Sequence, residues 1–367
     1  MNGSSRRSDI DAKQAILSRV IAELNCEAAV LLMPAHVAWF TGGMNVRGLI
    51  ADGERPGIYT NGRQRWLLCG NTDTQRLFDE ELDGLGFMLK EWPWPSGRAT
   101  LLGELVVGKK VATDRPFPTM PLVNEKLRPE LRPLMPSDIA HLRDLGHLVS
   151  HALEATARNT ERGESEQDVA GALAHRIFHK GAEAHAVTVT AEGRGRRFRR
   201  AGYTAVEVET TCNLQVTAGR DGLFVTASRT ICFGAPTAEF RAEFDTACNV
   251  AAIGRLTSTP GGTMATAVDT ASGLLRNTPF EHEWRLSPAG YGTGWFQADE
   301  LRKAGIDEKF GLNQAIVWQP RIGSASVVDT VLVGEGACEA ITPTEQWPYK
   351  RITLGGSTYD IPDLLVV

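Results

Sequence analysis

The sequence predicts an α/β protein of two domains, and three observations carry that expectation. At 367 residues the chain is long enough for two domains that each bury their own core. Before about residue 136, short strand-like runs alternate with helical stretches and Pro- or Gly-rich turns. Beyond it the pattern changes to two helices, a strand pair, two further helices and a second strand group.

The elements follow in order. After a polar N-terminal arm, Asp9 is placed to cap a helix whose apolar residues Ile16, Val20, Ile21 and Leu24 recur at helical spacing. Ala28 to Met33 reads as a buried strand, and Asn61-Gly62 stands between two strand-like runs as a hairpin signal. GFMLKEW and GKKVATD are further short segments, and WPWPSG (Trp92 to Gly97) reads as an extended linker or loop. Helical periodicity then runs from Ile139 through Leu153. A second helix starts at a capping-box pattern, Ser165 with Asp168, and stops at Gly181. AVTVTAE, EVETTCNLQVTAG and GLFVTASRTICFG read as strands, the last two joined across Gly219 to Gly222. Helices are expected at Ala238 to Leu256 and Thr263 to Leu275, and strands at AIVWQPRIG and SVVDTVLVGEG.

Composition narrows the function. With 39 basic and 44 acidic residues the formal charge is −5, which offers no global attraction to nucleic acid or an anionic membrane. A small molecule, peptide or protein is the expected partner. The N-terminal sequence lacks a secretory h-region, and no stretch carries the ~18 uncharged apolar residues of a membrane span, so a cytoplasmic location is expected. Six scattered cysteines without a C-x-x-C pair read as reduced, mostly buried thiols.

Several motifs recur in one order. VAWFTGG (Val37 to Gly43), the helix PSDIAHLRDLGHLVSHAL, GESEQDV, DGLFVTASRTICFG, AGYGTGW, IVWQP and VVDTVLVGEGACEAIT follow one another along nearly the whole chain. Their order and spacing resemble the pita-bread superfamily of aminopeptidase P, prolidase and creatinase. The resemblance implies a creatinase-like N-terminal α/β domain over 1–136, a pita-bread domain over 137–345 and a C-terminal extension over 346–367. It also implies a homodimer.

In catalytic members of that superfamily these motifs carry five metal ligands, two Asp, one His and two Glu, around two divalent cations. The resemblance places Gln215, within one or two residues, and Thr226 at the Asp positions, Tyr291 at the His position, and Gln319 and Val328 at the Glu positions. No metal and no other cofactor is therefore expected. Asp221, Asp299, Glu300 and Asp329 lie near the motifs and leave a relocated metal site as an alternative. Asp221 is expected on the hairpin turn, Asp299 and Glu300 on an exposed loop or helix, and Asp329 resembles a structural Asp of the family. Creatinase is the precedent for metal-free hydrolysis, but the family's substrate-side histidine falls here on Arg199 or Arg200, so creatine-type amidinohydrolysis is not expected.

The candidate ligand-binding residues are Gln215, Thr226, Arg229, Tyr291, Gln319, Arg321 and Arg199. The run Arg194, Arg196, Arg197, Arg199 and Arg200, with Arg229 and Arg321, either makes an electropositive mouth for a carboxylate or phosphate or is a solvated loop face. Tyr291 either donates to a ligand or fills the space of the metals, and Gln215, Thr226 and Gln319 can satisfy one another by hydrogen bonds. His147 and His151 stand four apart on one helix and read as a surface pair. The leading functional expectation is a metal-independent hydrolase of a small, nitrogen-containing, anionic substrate. The alternatives are a non-catalytic pseudo-peptidase that binds a peptide, metabolite or protein, and an Xaa-Pro peptidase with a relocated metal.

Overall fold

The computed structural model describes residues 3–46, 48, 50–298 and 306–367. The chain divides into two compact units, Met1–Asp138 and Ile139–Val367.

In the first unit α1 (Gly3–Glu23) is followed by β1 (Ala28–Leu31), α2 (Pro34–Thr41), β2 (Gly57–Thr60), β3 (Arg65–Gly70) and α3 (Thr74–Arg76). Then come β4 (Met88–Trp92), α4 (Gly97–Val106), β5 (Val111–Thr113) and α5 (Asn124–Leu131). The strands form one mixed sheet in the order β4-β3-β2-β1-β5, with β1–β5 and β3–β4 parallel. Its core packs Val30, Leu32, Tyr59, Leu68 and Trp92 against Leu102 and Leu105 of α4.

One local expectation changes here. The first helix starts at Gly3, so Asp9 lies inside it and does not cap it; its carboxylate instead accepts from the Ser137 hydroxyl. Much of VAWFTGG is the helix α2, opened by Pro34 in its first turn and closed by Gly42 in the left-handed conformation. The WPWPSG stretch is a loop as expected, running from Trp92 at the end of β4 to Gly97 at the start of α4, whose buried face rests on Leu102 and Leu105. At the Asn61-Gly62 hairpin, the Asn61 side-chain oxygen accepts from the backbone N–H groups of Arg63 and Gln64.

The second unit holds α6 (Pro136–Asn159) from Ile139 onward, α7 (Glu166–His179), β6 (Glu183–Ala191), β7 (Thr211–Arg220), β8 (Leu223–Cys232), α8 (Ala238–Thr257) and α9 (Met264–Leu275). It continues with β9 (Gly290–Gly292), β10 (Ala315–Trp318), β11 (Arg321–Ile322), β12 (Ala325–Ser326), β13 (Asp329–Leu332) and β14 (Glu339–Ala340). The chain ends on β15 (Tyr349–Leu354), β16 (Ser357–Pro362) and β17 (Leu365–Val366). The box at α7 closes in both directions: Ser165 Oγ accepts from Asp168 N, and the Asp168 carboxylate accepts from Ser165 N. Two four-stranded sheets, β17-β8-β7-β6 and β14-β13-β10-β9, form the β framework, with the β11–β12 pair between β10 and β13 in sequence. The last residues are part of this framework, because β17 adds in parallel to β8.

One buried ionic knot ties the framework together. Arg229, 1% exposed, donates to Asp329 Oδ1 at 3.2 Å and to the carbonyls of Ser228 and Thr342 at 2.7 and 3.2 Å. Its Nε lies 3.5 Å from Glu154 of α6, and Arg255 of α8 donates to Asp329 Oδ2 at 3.0 Å. Two helices and both sheets thus share a single charge network, in which every buried ion faces an opposite one.

Candidate functional site

The site grows from the β7–β8 hairpin. Asp221 and Gly222 both take positive φ, 52° and 77°, and form a two-residue turn between the paired residues Arg220 and Leu223. That turn sets a register in which Asn213 faces Thr230, Gln215 faces Ser228, and Thr217 faces Thr226. Side chains alternate along each strand, so these six polar residues share one face. The opposite face carries Cys212, Leu214, Val216, Ala218, Val225, Ala227 and Ile231, all buried.

Hydroxyls link this polar face to its neighbours. Thr217 Oγ1 and Thr226 Oγ1 are 2.9 Å apart, and Thr226 Oγ1 is 3.0 Å from the Tyr291 hydroxyl, which also bonds to Thr217. Tyr291 is held by β9, where it pairs with Val317 of β10. Thr330 Oγ1 accepts from Thr226 N at 2.9 Å and donates to Thr226 O at 2.8 Å, fastening β13 to β8. Arg321 enters from β11 and donates through Nη2 to Gln215 Oε1 at 2.7 Å. Among the described residues no carboxylate lies within ion-pairing distance of this guanidinium.

Burial governs the charges. It pushes the Tyr291 phenol above its ordinary pKa, which the hydroxyls of Thr226 and Thr217 and the charge of Arg321 only partly offset. Burial first, and the nearby charge of Arg199 second, push the Arg321 guanidinium below its ordinary pKa. The assembly is rich in hydrogen-bond donors and amphoteric hydroxyls. Among the described residues it contains no carboxylate or imidazole poised as a base.

Of the residues picked out by sequence, Gln215, Thr226, Tyr291 and Arg321 come together. Arg199 approaches Arg321 but is committed elsewhere, donating to Glu283 at 2.7 Å and to the Gly323 carbonyl at 3.0 Å. Gln319 turns away and donates to the Pro288 carbonyl at 3.2 Å, so it does not satisfy Gln215 or Thr226. Val328 is buried, its backbone N–H and carbonyl both bonded to Ser228. Arg229 is a correction: it belongs to the opposite face of β8 and to the ionic knot. The arginine run is largely neutralised as well, since Arg194 pairs with Glu166 and Arg196 with Glu239 and Glu243. Arg197 lies over the Phe198 ring, and Arg200 is exposed.

Thr217 was missed at the sequence level. Counting back from the Asp221-Gly222 turn would have placed it opposite Thr226. Asp221 sits on that turn as expected, and Asp299 and Glu300 lie outside the described residues. His147 and His151 are exposed and lie 3.6 and 3.8 Å from Glu345, and no group of His, Cys, Asp or Glu among the described residues is arranged to hold a metal. The Cys69 and Cys232 thiols are pushed up to about 11 by burial, and those of Cys212 and Cys248 are pushed up further, so all four stay protonated.

No family model matches this chain, and no curated protein matches it. Solved structures do. The prolidase from Pyrococcus horikoshii OT3 superposes with a TM-score of 0.78 at 14% identity, over 91% of this chain and 99% of that one. The dipeptidase PepE from Mycobacterium ulcerans gives 0.75 at 15% identity, over 98% of both chains. The N-terminal domain of the FACT complex subunit SPT16 from Cicer arietinum gives 0.66 at 12% identity, over 92% of this chain and 97% of that one. The class of protein is thereby defined: this chain has the pita-bread fold of the prolidases and X-Pro aminopeptidases, over nearly its full length. At these identities the likeness carries the fold, and the chemistry rests on the side chains.

Proposed function

We propose that this chain is a pita-bread protein without the dinuclear metal centre, which binds a small molecule or short peptide at the Gln215–Thr226–Tyr291–Arg321 site and does not hydrolyse it. The observation that carries this reading is the Arg321 guanidinium seated 2.7 Å from Gln215, at a position where the resemblance places a carboxylate ligand of a metal ion. Two hard dications bring four positive charges and call for carboxylates. Gln215, Thr226, Tyr291, Gln319 and Val328 supply none, and Arg321 adds a positive charge of its own. The donor set therefore does not fit the metals of the family.

Binding is favoured over metal-independent hydrolysis because hydrolysis needs a base near neutrality. Burial holds the Tyr291 phenol protonated, and the hydroxyls around it titrate far above that range. A neighbour named as a complex subunit, alongside the peptidases, supports the use of this fold for binding. The resemblance further supports a homodimer, which sedimentation at micromolar concentration checks directly.

The test is elemental analysis after dialysis against Mn²⁺, Zn²⁺ and Co²⁺, paired with an Xaa-Pro peptide hydrolysis assay. The expected result is neither bound metal nor turnover. Stoichiometric metal with peptide turnover would overturn the reading and restore an ordinary peptidase.

A further inference from the structure

Resting on the metal-free reading above, we propose that Arg321 and Ser326 form a charge-inverted centre that binds a monoanionic carboxylate where the family binds cations. The two residues are direct cross-strand partners in the β11–β12 pair, so their side chains project from the same face of it. Ser326 is 3% exposed, and its hydroxyl has no hydrogen-bond partner among the described residues. Arg321 makes one hydrogen bond, to Gln215, and no ion pair among the described residues, which leaves most of its N–H donors unused. A half-buried guanidinium without a counter-charge and a buried hydroxyl without a partner are each unfavourable. Their shared face lets one acceptor take bonds from both.

The charge count selects the ligand. Arg229 is consumed by Asp329 and Glu154, Arg199 by Glu283, Arg194 by Glu166, and Arg196 by Glu239 and Glu243. Arg197 and Arg200 are exposed on their loop, so among the described residues Arg321 leaves one positive charge at the site, and one negative charge balances it. A phosphate dianion would bring a second negative charge with no cation to meet it. A carboxylate carries one, spread over two coplanar oxygens that suit a guanidinium edge together with a hydroxyl. Gln215, bonded to Arg321, and Tyr291, whose phenol feels the Arg321 charge, stand beside the guanidinium and offer the rest of the ligand polar contacts.

The experiment is titration calorimetry of the full chain with N-acetylglycine, N-acetylglycinamide and inorganic phosphate in a low-chloride zwitterionic buffer. N-acetylglycine is expected to bind, with the amide and phosphate at least tenfold weaker. Arg321→Gln is expected to weaken N-acetylglycine at least tenfold. In the ligand-free state its melting temperature is expected to be equal to or above that of the parent, because it removes a half-buried charge without a counter-charge. Should Arg321→Gln fail to fold, Ser326→Ala serves instead, with an expected several-fold loss of N-acetylglycine affinity. Equal binding of acid and amide, tighter binding of phosphate, or undiminished binding by the variants would each overturn the anion centre. So would the absence of any saturable binding by the folded parent. Metal uptake with Xaa-Pro turnover would instead sink the metal-free reading itself, so the two failures are distinguishable.

Discussion

Arg229 and Asp329 meet at 3.2 Å in the interior of the second unit, and this contact explains why an arginine three residues from Thr226 takes no part in the site. An odd offset along a strand sends two side chains to opposite faces. Thr226 therefore faces Thr217 and Tyr291, while Arg229 joins Asp329, Arg255, Glu154 and Thr342 in a closed network. The same residue type serves structure on one face and, as Arg321, a candidate ligand site on the other.

Arg229→Met should destabilise the protein by about 3–5 kcal/mol, because it leaves Glu154 buried without its cation and removes one of the two guanidiniums on Asp329. Urea denaturation checks this. Ligand affinity measured on the folded fraction should not change, whereas Arg321→Gln should show the reverse pattern.

Tyr291→Phe should cost about 1–2 kcal/mol near neutral pH, since it deletes the phenol bonded to Thr226 and Thr217. The pH dependence has a definite sign. The folded state raises the Tyr291 pKa above its unfolded value, so it holds the proton more tightly than the unfolded chain does. That contribution is fully present below the unfolded pKa of about 10 and is lost as pH rises through the folded value. Denaturation curves collected from about pH 8 to pH 11 should show the parent losing more stability than Tyr291→Phe. Comparing the two proteins cancels other alkaline titrations, such as that of Lys13, whose pKa burial lowers.

Gly146→Ala should be strongly destabilising although it lies in α6, where alanine ordinarily improves on glycine by up to about 1 kcal/mol. A Cβ at this position would fall 1.8 Å from the Ile341 carbonyl oxygen, a backbone atom that cannot rotate away. Either the helix or the segment after β14 must shift, and thermal melting should fall by several degrees or the protein should fail to accumulate. A melting temperature at or above that of the parent would show that the helix does not approach Ile341 this closely.

Ser228→Ala removes the hydroxyl that accepts from Val328 N at 2.9 Å and leaves that buried N–H unpaired. The expected loss is about 1–3 kcal/mol, measured by urea denaturation. The Ser228 hydroxyl also helps hold β12 in place, through a 3.5 Å contact to the Ser326 carbonyl, so carboxylate affinity should weaken in parallel.

Much of the fold was legible in the sequence because its signals are local. The α7 box needs only Ser165 and Asp168, and the β7–β8 hairpin needs only the Asp221-Gly222 turn and the alternation around it. The start of α1 was misread for the converse reason. Asp9 is a good cap by type, yet its carboxylate accepts from Ser137, which is remote in sequence, and the helix extends past it to Gly3.

By itself, the sequence determined the residue types at the motif positions, Gln215, Thr226, Tyr291, Gln319 and Val328, none of which is a carboxylate or an imidazole. Only the tertiary structure decided which arginines carry an unmet charge. Arg194, Arg196, Arg199 and Arg229 are answered by Glu166, Glu239, Glu243, Glu283 and Asp329, while among the described residues Arg321 is answered by the Gln215 amide alone. Residue type fixes a charge, but the electrostatic balance falls off within a few ångströms and depends on partners that long-range strand pairing brings together.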